Sequence, residues 1–319
     1  MPPDAAVVSA RDKFYVDLSE AFPGQVVDKS LLINFDQTFH LFNPSRGHTW
    51  EKKGANRVQV RDSKDGFTLC IVVSAVGMIG AQMILGNKVY PNIDPQPVLR
   101  FLHNPKHWSN EQTTIALWND IILPHIAARR AALGEPASPV IVLADSFSAH
   151  WTPAVTDLVK ATDGIAYIGV PDSLTHIFQP LDLGIVAALK NSVLRRRDEF
   201  LESEVRTAVR ENRGVVLTKS LPVLRDRVAM WIKEVLVDPV ICDERCCKSG
   251  FDRAGVTRVL YGHKVAADVD LFIPPAFCDD CGEIGVCRAD VPPCEHFDGI
   301  DIATLCDGCF ANHNTLCTV

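Results

Sequence analysis

The 319-residue sequence has no apolar run near the roughly 20 residues that cross a bilayer. Its longest runs, 68–76 and Val140–Ala144, are the length of buried strands, and no membrane partner is expected. The amino terminus, MPPDAAVVSARDKF, lacks the basic-then-apolar pattern of a secretion signal. Basic excess is also missing. With 39 acidic against 32 basic residues the net charge is −7, which is not the footprint of a general polyanion binder. Cysteine is scarce in the first 240 residues, where only Cys70 occurs. No internal repeat or low-complexity tract is present, which excludes solenoid and fibrous designs. What remains is ordinary globular usage, 47% hydrophobic and 22% charged, enough to bury a core.

Charge and cysteine both divide the chain near its end. Residues 278–319 hold eight acids and one base, so this tail carries the whole net charge and residues 1–277 are balanced. Seven of the eleven cysteines lie in the same tail. Without a secretion signal, CxxC pairs read as metal ligands rather than disulfides. Cys278 and Cys281, then Cys306 and Cys309, lie close to the four-thiolate zinc pattern, with 24 residues between the pairs. Cys287, Cys294, His296, His313 and Cys317 are enough for a second zinc site. Spacing does not say which of them pair. Residues 275–319 are therefore expected to form a zinc-binding module with one or two ions, dependent on metal for its fold. Its acidity suits protein partners better than DNA. An unstructured tail is the plain alternative. Cys242, Cys246 and Cys247 make a separate local group.

Hydrophobic periodicity orders the rest. Residues 1–30 read as a helical lead-in, with Phe14, Tyr15 and Leu18 at helical spacing and an end near Pro23-Gly24. Residues 31–36 are a short apolar strand. Residues 67–76 and 81–90 are two more, with Gly77-Met78-Ile79-Gly80 expected as the hairpin link. Between 113 and 133 the period becomes helical, and Pro124 is expected to kink the helix. A strand at Val140–Ala144, a helix at Pro153–Lys160, a strand at 164–170 and helices at 181–213 and 221–237 complete the order. The 181–213 stretch reads as one long helix or a pair. An opening meander followed by alternating strand and helix predicts an α/β fold, a mixed sheet flanked by helices.

Three acids occupy telling places in this order. Asp36 closes the first strand, Asp145 closes the Val140–Ala144 strand, and Asp182 begins the helix after the last strand. If the strands before Asp36 and Asp145 are neighbours, the two carboxylates emerge side by side, and the Phe178-Gln179-Pro180-Leu181 turn can bring Asp182 to them. Three close carboxylates repel one another unless cations lie between them, and hard Mg²⁺ or Mn²⁺ suits all-oxygen ligands. Two such ions about 3.5–4 Å apart can activate a nucleophile and stabilise the leaving oxygen of a phosphodiester. The plainer reading of each acid is a turn former or helix cap.

The words around the acids carry a resemblance. Asn34-Phe35-Asp36-Gln37-Thr38, then Leu143-Ala144-Asp145-Ser146-Phe147-Ser148-Ala149-His150, then Phe178-Gln179-Pro180-Leu181-Asp182-Leu183-Gly184 with Lys190 beyond, resemble the three signature blocks of the pogo/Tigger/jerky transposases. Centromere protein B belongs to that group, within the DDE endonuclease superfamily. Thirty-six residues separate Asp145 from Asp182, an interval that fits the group. Trp50-Glu51-Lys52-Lys53-Gly54 and Ser249-Gly250-Phe251-Asp252-Arg253-Ala254-Gly255-Val256 match in order as well.

The resemblance covers roughly residues 10–260 and implies an RNase H-like catalytic domain at 31–260. It implies that Asp36, Asp145 and Asp182 hold two Mg²⁺ or Mn²⁺ ions and cleave and join DNA strands. Nuclear residence is implied on the same ground alone, and a homodimer is compatible with it. Gln37 departs from the Glu usual in the first block. The helix-turn-helix domains usual ahead of the catalytic domain have no counterpart in the few residues before the first strand. The chain is therefore expected to be a fragment, a shortened gene product or a descendant without its targeting module. His150, Lys190, Arg195 and Arg196 are candidate DNA-phosphate contacts, as are Arg197, Lys52 and Lys53, although charge runs on helices are commonly solvated faces. The alternative function is a domesticated, catalytically silent scaffold that binds DNA or protein.

Overall fold

The computed structural model describes residues 5–42, 65–86, 90–93, 97–214, 220–239, 241–242 and 244–262, with two short tail strands at 286–288 and 303–305. Strand β2 (Gly66–Ser74) is buried at every position, as expected of a strand covered on both faces. It pairs antiparallel with β1 (Leu32–Leu41) on one side and with β3 (Gly77–Leu85) on the other. The β2–β3 turn is made by Ala75-Val76. Gly77 to Gly80, expected as the link, lie within β3 instead, and a register shift at Val72/Val73 absorbs the offset.

Three further strands complete a six-stranded sheet in the order β4-β3-β2-β1-β5-β6. They are β4 (Leu99–His103), β5 (Val140–Ala144) and β6 (Ile165–Gly169). Each runs parallel to its inner neighbour, so the sheet is mixed, as the element order predicted. Strand β4 was not anticipated from the sequence. It is five residues long, lies at the sheet edge and is framed by Pro97 and Pro105, so it shows neither a long apolar run nor full burial.

Helices cover both faces. On one, α2 (Glu111–Leu117) starts with a capping box in which Asn110 and Thr113 exchange side-chain-to-backbone hydrogen bonds. It continues through a π-helical turn, Trp118–Ile122, into α3 (Leu123–Leu133). Pro124 has no N–H to give the Asp120 carbonyl. The helix accommodates it with a wider turn upstream, closed by Leu123 N–H to Trp118 O, and this places Trp118 at 0% exposure. Its ring meets Phe35 of β1 edge-on, centroids 6.3 Å apart. Helix α4 (Pro153–Lys160), capped by Thr152, leads to β6.

The other face carries short α5 (Thr175–Phe178) and α6 (Pro180–Leu183), long α7 (Ile185–Arg210), then α8 (Leu221–Leu236), α9 (Glu244–Arg253) and α10 (Val256–Tyr261). Gly184 separates α6 from α7, so the 181–213 stretch is a pair of helices. The lead-in forms α1 (Ala5–Glu20). Phe14 packs against Phe178 at 5.8 Å, and the Tyr15 hydroxyl donates to the Ala254 carbonyl at 3.2 Å. Among the described residues no helix is long and apolar enough to cross a membrane.

In the tail, β7 (Val286–Arg288) and β8 (Ala303–Leu305) pair antiparallel. Cys287 lies within β7. The other zinc-ligand candidates of the tail lie outside the described residues, as do Lys52 and Lys53.

Candidate carboxylate site

Strands β1 and β5 run parallel with Asn34 beside Leu143. Continuing that register by two residues brings Asp36 level with Asp145, the residue after β5. From β1 the chain adds β2, β3 and β4 outward on one side and then β5 and β6 on the other, so strand order reverses between β1 and β5. Such points are where open α/β sheets bind ligands, at the carboxyl ends of their parallel strands. The neighbour relation on which the sequence reading of these two acids was conditional is present.

The third acid arrives on α6 and is tied to β1 by two buried amides. Asn34, at 0% exposure, donates from Nδ2 to the Leu143 carbonyl of β5 at 3.0 Å, and its Oδ1 accepts from the Leu181 N–H at 2.9 Å. One side chain thus joins the strand of Asp36, the strand before Asp145 and the helix of Asp182. Gln179, also at 0% exposure, donates from Nε2 to the Phe35 carbonyl at 3.3 Å. Behind α6, Arg253 of α9 donates to the Leu183 carbonyl at 2.9 Å.

The three acids affect one another's titration. Burial first, then the nearby carboxylates of Asp182 and Asp145, push the Asp36 carboxyl up to about 8, against hydrogen bonds from the Gln37 N–H, at 2.7 Å, and from Gln179. Asp182 is raised by burial and by Asp145, while Lys190 and His176 pull it down. Asp145 has a different setting. His150 Nδ1 lies 2.7 Å from its Oδ1 but out of hydrogen-bonding alignment, and the Phe147 N–H donates to the same oxygen at 3.2 Å. The His150 ring is 2% exposed and packs edge-on against Phe35 and Phe147. The Trp151 Nε1–H holds the Asp145 carbonyl at 2.7 Å.

Among the described residues no group of three or more His, Cys, Asp or Glu side chains is arranged to hold a metal ion. The site instead offers oxygen donors that repel one another across Asp36, and a hard divalent cation between carboxylates relieves that repulsion. The donor set fits Mg²⁺ or Mn²⁺. Gln179 Oε1, buried without a partner beside these carboxylates, suits a hydrated ion, whose waters donate hydrogen bonds.

The candidate phosphate contacts separate by environment. Lys190 is exposed on α7 and is close enough to affect both Asp182 and buried His40. Arg195 is exposed as well. Arg196 reaches across to α8, 3.0 Å from Glu234 and 3.7 Å from Asp238, and Arg197 pairs with Asp198 at 3.0 Å. His150 faces Asp145 from the interior. Asn34, Gln179 and His176 were not picked out as site residues from the sequence. The first two stand inside the quoted blocks, two and three residues before an acid, but only their partners reveal their part.

Residues 116–224 match the model of the DDE superfamily endonuclease family. No curated protein matches the chain. Among solved structures, the Mos1 transposase paired-end complex with left transposon end is similar with TM-score 0.47 and 14% identity, over 82% of this chain and 63% of that one. The chain thus spans less than two thirds of that protein's length. The catalytic domain of Mos1 mariner transposase aligns with TM-score 0.44 and 12% identity, over 82% of this chain and 96% of that one. The same catalytic domain with raltegravir and Mn aligns with TM-score 0.45 and 13% identity over the same shares. Through residues 116–224, which carry Asp145 and Asp182, the chain is similar to the DDE superfamily endonucleases that its three signature blocks resemble.

Proposed function

We propose that this chain is a transposase-derived endonuclease of the pogo/Tigger/jerky type, with an RNase H-like catalytic domain that cleaves and joins DNA phosphodiester bonds using two divalent ions. The observation that supports the reading is the β1–β5 register, which sets Asp36 level with Asp145, together with the Asn34 hydrogen bond to the Leu181 N–H, which ties the helix of Asp182 to β1. Bound Mg²⁺ or Mn²⁺ would supply Lewis acidity at the reacting phosphate. Asp36, Asp145 and Asp182 would hold the ions. The three acids are partly buried, so bulk water screens their charges less than at an open surface. Lys190 and Arg195, exposed on α7, attract the phosphate backbone without reading sequence. The zinc module at 275–319 belongs to the same proposal, on its cysteine spacing alone, and zinc analysis of the purified chain tests it.

The test of function is nicking of supercoiled DNA. Wild type is expected to convert it to open circle in Mg²⁺ or Mn²⁺, and Asp36→Ala, Asp145→Ala and Asp182→Ala each to lose that activity. An active wild type whose activity survives all three substitutions refutes the assignment. A folded, ion-binding wild type that leaves DNA intact supports the silent-scaffold alternative instead.

A further inference from the structure

Asn34 lies in the middle of a strand, and a buried amide there has a cost that only full hydrogen bonding offsets. Its side chain is fully engaged, but with three different elements. Nδ2 donates to Leu143 of β5 at 3.0 Å, with a longer 3.5 Å contact to the Phe35 carbonyl, and Oδ1 receives the Leu181 N–H of α6 at 2.9 Å. Leu181 adjoins Asp182, Leu143 lies two residues before Asp145, and Asn34 itself lies two before Asp36. Alternation along β1 puts Asn34 and Asp36 on the same face. Gln179 runs beside this link, with its amide N–H on the Phe35 carbonyl and against the Asp36 carboxyl.

Helix α6 has four residues, too few to hold its own place. Its approach to the sheet is set by what grips it, and the grip nearest Asp182 on the sheet side is the Asn34 amide. A hydrophobic residue could fill the same volume but would leave the Leu181 N–H and the Asp182 position unspecified. We infer that Asn34, with Gln179 beside it, is a positioning residue that fixes Asp182 relative to Asp36 and Asp145 and so sets the site's affinity for divalent ions. This rests on the proposed function, since it presumes that the three carboxylates hold such ions.

The experiment is calorimetric titration of Mn²⁺ into the full-length protein, dialysed free of Mg²⁺ and Mn²⁺ with its zinc retained, for wild type, Asn34→Ala, Gln179→Leu and Ile33→Ala. Ile33 is the fully buried neighbour of Asn34 on the opposite face of β1, so its truncation weakens the core without touching the polar link. Groups that orient metal ligands typically contribute about 10–100-fold in affinity. Asn34→Ala and Gln179→Leu are each expected to weaken Mn²⁺ binding by about tenfold or more, while Ile33→Ala lowers the melting temperature and leaves Mn²⁺ affinity as in wild type. If Asn34→Ala does not fold, Gln179→Leu decides. Wild-type affinity in the folded link variants overturns the inference alone, and so does an equal loss in Ile33→Ala, which would mark a merely structural role. No Mn²⁺ uptake by wild type overturns the metal-site reading and the inference with it.

Discussion

Asp36 is a carboxylate that the fold keeps from ionising easily. In the unfolded chain it titrates near the ordinary carboxylate value, about 3.9, whereas the folded protein holds it at about 8. The folded state therefore binds more protons over that interval, and this contribution to stability is present at low pH and lost as pH rises from about 4 to about 8. Asp36→Asn removes the penalty. The variant is expected to match wild type near pH 4 in the absence of metal and to exceed it increasingly up to pH 8, by on the order of a few kcal/mol at about 1.4 kcal/mol per unit. Thermal unfolding in chelator across that range checks the sign, and a variant less stable than wild type at pH 8 contradicts it. Buried His40, pushed down to about 3, acts in the opposite direction below pH 6 and is common to both proteins. The acids themselves were legible in the sequence because each stands beside a short apolar run within a recognisable word, although β1 continues to Leu41, so Asp36 lies inside that strand and does not close it. Asn34 and Gln179 stood in the same words without a signal, since an amide's role depends on the groups it meets.

At the scale of elements, the placement of α6 depends on a close approach that only glycine permits. A Cβ on Gly250 of α9 would lie 2.1 Å from the Pro180 carbonyl and 3.5 Å from the Gly184 Cα. In an isolated helix Gly→Ala gains about 1 kcal/mol, whereas forcing extra volume into a packed contact costs about 1–3 kcal/mol. The clash is with rigid backbone, so the steric cost prevails. Gly250→Ala is expected to destabilise the protein despite its better helix propensity and to weaken Mn²⁺ binding by displacing Asp182. A stabilised variant with unchanged binding would show that α6 is not held this way. The elements legible in the sequence were those with strong periodicity or continuous apolar runs, such as β1, β2, β5 and α4. Strand β4 was missed because a short edge strand needs no long apolar run. The π turn was missed because Pro124 announces an irregularity without saying on which side the helix absorbs it.

Across the whole molecule, a charge-balanced body carries three acids, at residues 36, 145 and 182, near enough to affect one another's titration. The sheet order brings them together by inserting β5 beside β1 after more than a hundred residues, and helix α1 braces the far side of α5 through the Phe14–Phe178 contact. The sequence predicted the mixed sheet, while the adjacency of these strands entered only as a condition that the sheet order meets. It could not supply how charges are shared on the surface, where Arg196 is taken up by Glu234 of α8 and by Asp238 just beyond it, and Lys190 acts on Asp182. The central claim is that the three carboxylates act as one divalent-ion site, and the most direct measurement is Mn²⁺ uptake with proton release near pH 7. Wild type is predicted to bind Mn²⁺ and release protons, since ion binding must expel the proton that Asp36 holds, and Asp36→Ala to lose both signals. Mn²⁺ uptake that is unchanged in Asp36→Ala would contradict the account.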